Sequence, residues 1–365
     1  MRTPVVLLGS LVVLAFLAGP GRAEQLPPDV RDAVKKGLDY LVKQQHEDGH
    51  WSAAGQGHHI AMTAVAGIAL LMEGSTIREG KYRKNIEKAV TWMMNQSQKN
   101  GLIAELREVG AGKGYMHGHG YATLFLACVY GEEEEGERRK RLEDILLRAT
   151  QFSRHAQTDR GGWGYMSSLD MGGFDEGSVT VSQVQSLRAA RNAGIAVPAE
   201  AITHAIKYLK DSTNSQGGVI YSLAHGAGGP GRPALTCAAI CCGFSAGEYD
   251  NPVVKKWFDF CKTNAPVLDH TGPDRFGRHD EYTHYYWAQS VYALGEDRYA
   301  KMFPGVKEKD NVTWSKYKKE AFPRLLKMQQ TDGSWSGGMV GPIFTTSVYL
   351  CILQLDLGTL PIYQR

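Results

Sequence analysis

The stretch Gly37-Leu-Asp-Tyr-Leu41, followed by Gln44-Gln45 and Asp48-Gly49-His50-Trp51, returns near the other end of the chain. There it reads Leu325-Leu-Lys-Met-Gln329-Gln330-Thr331-Asp332-Gly333-Ser334-Trp335. A third copy is Ala149-Thr-Gln-Phe152, followed by Gly161-Gly162-Trp163-Gly164. The tryptophans are 163 − 51 = 112 and 335 − 163 = 172 residues apart, twice and three times a period of about 57. A fixed period of this size is the signature of a repeat architecture. It predicts intervening copies, and weaker ones stand where it puts them. Ala89-Val-Thr-Trp92 leads to Gln96, Gln98 and Asn100-Gly101-Leu102; Ala205-Ile-Lys-Tyr208-Leu209 leads to Ser215-Gln216-Gly217-Gly218-Val219. Val254-Lys-Lys-Trp257-Phe-Asp-Phe260 leads to Asp274-Arg275-Phe276-Gly277. Six copies cover residues 30–357.

Each copy predicts two helices. The first is amphipathic, as in Val34, Leu38, Leu41 and Val42, and stops at a glycine-rich turn. The second is apolar around most of its circumference, so it is buried on most sides. These second helices are expected near Ile60–Met72, Tyr121–Tyr130, Val179–Asn192, Ala234–Phe244, Tyr282–Leu294 and Thr345–Leu355. Alternation of the two kinds implies two concentric rings, apolar helices inside. An open solenoid needs atypical polar end repeats, whereas the first and last copies here match each other best. The expected fold is all-α, a single (α/α)6 toroid, followed by a short tail, residues 358–365.

Arg2, then the uncharged, mostly apolar run Pro4 to Pro20, then Gly21-Arg22-Ala23, read as a secretory signal peptide over residues 1–23. The expected location is therefore outside the cytoplasm, periplasmic or secreted. Removing those residues takes Arg2 and Arg22 away and leaves a charge of 39 − 38 = +1. No basic stripe marks a nucleic-acid partner, and no later segment is apolar for long enough to span a membrane. The six cysteines are not a disulfide framework. Cys128, Cys237, Cys241 and Cys351 lie in apolar helical stretches and read as small core residues. Cys242 and Cys261 stay unassigned.

The phrase aromatic-Leu-x3-Gln followed by Gly-x-Trp resembles the QW repeat of squalene and hopene cyclases. It also resembles the related repeat of protein prenyltransferase β subunits. With six repeats in one domain, the arrangement looks like the prenyltransferase/squalene-oxidase-repeat proteins of planctomycete-type bacteria. His117-Gly-His119-Gly-Tyr121 and the ending Leu360-Pro-Ile-Tyr-Gln-Arg365 fit that group. The resemblance implies an isoprenoid, lipid or other apolar small molecule as ligand, and a structural role for Trp51, Trp163 and Trp335 in locking outer helices together. Both family chemistries are degenerate here. Cyclases of this kind carry Asp-x-Asp-Asp-Thr; the matching stretch is Asp175-Glu176-Gly177-Ser178-Val179-Thr180, with one Asp kept. Prenyltransferases hold zinc with an Asp and a Cys two residues apart and a later His. Here the stretch reads Glu281-Tyr282-Thr283 and the later position falls near Thr345, so those zinc ligands are not matched and no cofactor is assigned.

What remains is polar residues at the starts of the inner helices, which in a toroid ring one mouth of the central cavity. Asp175, Glu281 and His284 are the candidate acids and bases. His119, Tyr121, Tyr282 and Tyr285 are the candidate ligand-binding residues. His117, His119, Glu281 and His284 have donor types suited to a transition metal, without a diagnostic spacing. The same positions read equally as helix caps and satisfied turn residues; Asp175 and Glu176 in particular favour a helix N-terminus. Three functions stay open: an isoprenoid-related enzyme or lipid-handling protein, a non-catalytic envelope binding protein, and a carbohydrate-active (α/α)6 enzyme using Asp175, Asp280 or Glu281.

Overall fold

The computed structural model describes residues 26–364 apart from 56, 113, 227, 266–278 and 339. Residues 1–23, read from the sequence as a signal peptide, and the fifth turn, Asp274 to Gly277, lie outside the described residues. The outer helices are α1 (Pro28–Gln44), α3 (Arg83–Asn95), α5 (Glu137–Ala156), α7 (Ala199–Asp211), α9 (Pro252–Asn264) and α11 (Trp314–Met328). They alternate with inner helices α2 (His59–Met72), α4 (Met116–Tyr130), α6 (Gly177–Asn192), α8 (Pro233–Ser245), α10 (Asp280–Met302) and α12 (Pro342–Leu353). Two short helices, Leu106–Gly110 and Ser168–Met171, sit in the connections. No strand forms among the described residues; the turns add only isolated bridges such as Trp163 to Glu176. None of the described helices is long and apolar enough to cross a membrane.

Burial follows the sequence pattern. In α1, Val30, Val34, Leu38 and Leu41 are buried along one stripe, with Pro28 at the helix start and Asp29 in the first turn. In α2 every residue is buried except Ala61. The inner helices pack in the order α2, α4, α6, α8, α10, α12 and back to α2, so the ring is closed. The outer helix α1 rests on α12 as well as on α2, which carries the closure into the second layer.

The repeated phrase is the joint. Gln329 Nε2 donates to Gly333 O in its own turn and to Ala33 O on α1, both at 2.9 Å. Gln157 does the same to Gly161 O (2.8 Å) and Ala201 O (2.9 Å). Gln45 does so to Gly49 O (2.9 Å) and Asn85 O (3.0 Å). Of the pair Gln44-Gln45 the bridging residue is Gln45, which stands six residues before Trp51 as Gln157 and Gln329 stand six before Trp163 and Trp335. Each tryptophan ties its own hairpin. The indole N–H of Trp51, Trp163 and Trp335 donates at 2.7 Å to Leu41 O, Ser153 O and Leu325 O. The backbone N–H groups of the same residues donate to Thr63, Thr180 and Thr346 hydroxyls on the inner helices. Gly333 explains the glycine in the phrase. Its φ is +92°, and a Cβ there would lie 2.4 Å from Lys36 O of the neighbouring outer helix.

The carboxyl-terminal residues belong to the fold rather than trailing from it. Leu360 and Tyr363 are buried, and the Tyr363 hydroxyl meets that of Tyr285 at 2.7 Å. The turn Pro361–Tyr363 packs on α6 and lines, with Gln185, Arg188 and Gln289, the far end of the ring. A cavity of only about 60 Å³ is left at that end.

Candidate functional site

The N-terminal ends of all six inner helices converge on one cavity of about 550 Å³. Its wall is apolar and aromatic. Ala61 and Met62 come from α2, Tyr121 from α4, Leu235 from α8, Tyr282 from α10 and Phe344 from α12, with Tyr165 and Tyr221 from two turns. The volume lies in the range of about 300–1,000 Å³ common for small-molecule sites. A few polar groups stand in this wall. They are Glu176, Glu281 and Arg232 among the described charged residues, together with His58, His117, His279 and Ser178.

Two of these histidines mark tight entries. His58 (φ 53°) and His279 (φ 44°) precede α2 and α10 in the left-handed region, which β-carbon sterics disfavour. Non-glycine residues held there concentrate at functional sites and helix stops. Arg232 precedes α8 and lays its guanidinium over the Tyr221 ring, 4.9 Å from the centroid.

Glu176 caps α6. Its Oε2 accepts from Val179 N–H at 3.0 Å and from the Ser178 hydroxyl at 2.5 Å. Burial raises its pKa, against the lowering effect of those hydrogen bonds and of Arg232. Ser178 Oγ in turn lies 2.8 Å from His117 Nε2. Burial pushes the His117 imidazole down to about 4, helped by the neighbouring His58. His117 is therefore neutral at ordinary pH.

Asp175 sits elsewhere. It is fully buried and accepts from Arg160 Nε (2.6 Å), the Tyr208 hydroxyl (3.0 Å), the Ser222 hydroxyl (3.1 Å), and the N–H groups of Leu223 (2.8 Å) and Ala224 (3.3 Å). Arg160 belongs to the same turn, and the other four donors come from the following repeat, so Asp175 fastens two hairpins and does not line the cavity. His119 is fully buried outside the lining, on Ile103 N–H and Ser153 Oγ. His284 faces the outer layer, where Nδ1 lies 3.0 Å from the Tyr317 hydroxyl. Tyr285 turns to Tyr363 at the far end.

Of the residues singled out from sequence, Glu281, Tyr282, Tyr121 and His117 come together at the cavity; Asp175, His119, His284 and Tyr285 do not. Glu176, read from the sequence as a helix-cap residue, and His58, one of the polar residues at the inner-helix starts, line it too, whereas Ser178, Arg232 and His279 were not selected. Their signal is position: each precedes an inner helix or opens its first turn. Glu281 is buried in the lining with Gly338 (φ +80°) against it, where a Cβ would come 2.3 Å from its carboxylate.

The prenyltransferase zinc set does not fit this chain. Thr283 Oγ1 donates to His279 O at 2.9 Å, and Thr345 Oγ1 donates to Gly337 O at 2.6 Å, so both stand in ligand positions as spent hydroxyls. No group of three His, Cys, Asp or Glu side chains is placed to hold a metal among the described residues.

No family model matches the chain, and no curated protein matches it. Solved structures do. The α-1,6-mannanase GH76A of Salegentibacter sp. HEL1_6 superposes with a TM-score of 0.62 at 8% identity, over 89% of this chain and 98% of that one. The type II terpene cyclase MstE from Scytonema superposes at 0.55 and 14% identity, over 91% and 99%. A variant of that cyclase, matched at 0.54 and 14%, is in complex with its substrate geranylgeranyl dihydroxybenzoate. A protein from Actinoplanes matches at 0.54 and 16%, over 90% and 99%. These likenesses establish the α/α-toroid fold. At such identities they carry nothing finer.

Proposed function

We propose that the protein is exported and holds an isoprenoid, or a comparably apolar small molecule, in its central cavity, as a binder rather than an alkene-protonating cyclase. The observation that carries this is the cavity itself, about 550 Å³, walled by Met62, Tyr121, Leu235, Tyr282 and Phe344 and ringed by all six inner helices. The aromatic wall suits an apolar or π-bearing chain. The degenerate QW repeat and the geranylgeranyl-bearing cyclase complex agree with it. Asp175, which stands where the cyclase acid is expected, spends its oxygens on five donors and lies outside the cavity lining. Native mass spectrometry of the protein purified from its own source, with solvent extraction, tests the proposal. A one-to-one polyprenoid or other lipid adduct supports it. A ligand-free mass, with no uptake of added C20 isoprenoid, overturns it.

A second reading has its own observation: Glu176 and Glu281 both line the cavity. Two carboxylates facing one space are the minimum for glycoside hydrolysis, and a mannanase shares the fold. Release of reducing ends from α-1,6-mannan, abolished by Glu281→Gln, would establish that reading. An unchanged polymer would remove it.

A further inference from the structure

Two buried thiols meet outside the central cavity. Cys237 lies on inner helix α8 and Cys261 on outer helix α9, both fully buried, with their sulfurs 3.4 Å apart. The next thiol along α8 is engaged elsewhere: Cys241 Sγ lies 3.3 Å from Tyr286 O and 3.2 Å from Ser290 Oγ, both on α10. Cys237 and Cys261 therefore form a pair, one thiol from each of two helices that pack together. The sulfurs of a disulfide lie ~2.05 Å apart. Closing this pair from 3.4 Å asks for a movement of about 1.4 Å, which small side-chain rotations supply. The two residues are 24 apart in the chain, so the turn between α8 and α9 is the only loop that the bond would close.

Burial holds Cys237 as a thiol, raising its pKa well above the ordinary value, and contact with Cys261 adds to that rise. The thiolate, not the thiol, is the attacking species. Once folded, the pair is thus slow to exchange with any outside disulfide, so oxidation belongs to the stage when α9 settles on α8 and both sulfurs are still wet. Disulfides form and persist in exported proteins, whereas cytosolic thiols are kept reduced. We propose that Cys237 and Cys261 form a disulfide in the exported protein, fastening outer helix α9 to inner helix α8. This rests on the export of the chain. The Cys237 thiolate attacks a disulfide of the glutathione or dithiol-oxidoreductase class, and one thiolate leaves. The Cys261 thiolate then attacks the Cys237 sulfur of that mixed disulfide, the Sγ–Sγ bond forms and the second thiolate leaves. Two protein thiols give up two protons and two electrons, and the oxidant takes up both as a pair of thiols.

The test counts thiols by mass after alkylation with iodoacetamide in urea. It is run on the full chain from its own source, with thiols trapped at lysis, and on the same chain refolded from urea in a glutathione redox buffer. Both are expected to take up 6 − 2 = 4 alkyl groups without reductant and all six after reduction. Fragmentation of the linked peptides should place the bond at Cys237 and Cys261. In the dithiol form every thiol opens to alkylation in urea; only the oxidised form withholds two. Cys261→Ala should show five groups with or without reductant, and Cys241→Ala three without and five with. The linked peptides of the wild type decide the matter where a variant fails to fold. Six groups without reductant after oxidative refolding, or a bond to Cys241 or Cys242, overturns the pairing and leaves export standing. Six groups in the chain from its own source, with the pair formed on oxidative refolding, overturns export and with it the inference. Neither result touches the cavity.

Discussion

His119 occupies a place that threonine fills elsewhere in the ring. Thr63, Thr180, Thr236 and Thr346 each accept from the backbone N–H of a turn residue, namely Trp51, Trp163, Val219 and Trp335. In the second repeat Ile103 N–H reaches His119 Nδ1 at 3.1 Å instead. The rest of the network runs one way. His119 Nε2–H donates to Ser153 Oγ, Ser153 to Gln183 Oε1 (2.9 Å), and Gln183 Nε2 to Met116 O (2.7 Å). A proton on Nδ1 would break the first bond, and burial holds the pKa down at about 4, against 6.5 for a free imidazole. The unfolded chain takes up this proton below pH 6.5, whereas the folded chain refuses it until about 4. Stability from this group is thus complete above pH 6.5 and is lost as pH falls towards 4, by no more than roughly 3 kcal/mol. Glu176, with a raised pKa, contributes in the opposite sense, its share lost as pH rises above 4.5. Urea unfolding of wild type and His119→Asn between pH 7 and 4 separates the two: the variant should show the shallower fall. A parallel fall would show that His119 is not the responsible group. Sequence reading put His119 beside His117 at the mouth because both open the same helix. Which of two residues two positions apart faces the cavity depends on helix rotation. Only aligning the turn-to-helix hydrogen bonds across repeats, hidden by connections of unequal length, shows it.

At the scale of the elements, the repeat phrase carries the joints. Gly333→Ala places a side chain at φ +92° and against Lys36 O, whereas Gly358→Ala (φ +59°) meets open space. The first should destabilise by several kcal/mol, about 3 or more, and the second by about 1, as the backbone preference alone dictates. Equal losses in chemical unfolding would mean that the turn does not press on the next outer helix. Gln329→Ala deletes the bond to Ala33 O that joins the last hairpin to the first, together with the bond to Gly333 O in its own turn, and should cost about 1–3 kcal/mol. The cysteines test the layer assignment. Cys237, Cys241, Cys242, Cys261 and Cys351 are buried, and burial raises Cys241 to about 12. In native protein held in reductant these five should resist iodoacetamide and react once urea is added. Rapid native labelling at any of them would contradict the packing. Much of this level was legible, because amphipathic and uniformly apolar helices have distinct patterns and each carries its layer. The inner helices nevertheless start earlier than hydropathy indicates: α4 begins at Met116 and α12 at Pro342. Their first turns face the cavity, where polar residues such as His117 and Glu281 interrupt the apolar run.

For the whole molecule, closure distinguishes this ring from a solenoid. Both layers join last repeat to first, through α12 against α2 and Gln329 against α1. Deleting the last hairpin from Trp314 onward should therefore abolish cooperative unfolding. An open stack of repeats would lose only a proportionate share of its stability. Closure also gives the ring a floor, since Tyr121 and Tyr286 hydroxyls meet at 3.3 Å and Tyr363 joins Tyr285 beyond them. The space above that floor is the basis of the proposed function. The repeat made the closed ring legible; the cavity was not, because its wall draws one or two residues from each of six distant segments. The most direct measurement is equilibrium binding of a fluorescent C20 isoprenoid alcohol to wild type and to Ala61→Trp, which fills the cavity from the one partly buried position of α2. The cavity reading predicts saturable one-to-one binding to wild type and a loss of at least about tenfold in the filled variant. Equal affinity for both proteins, or no binding to wild type, would contradict it.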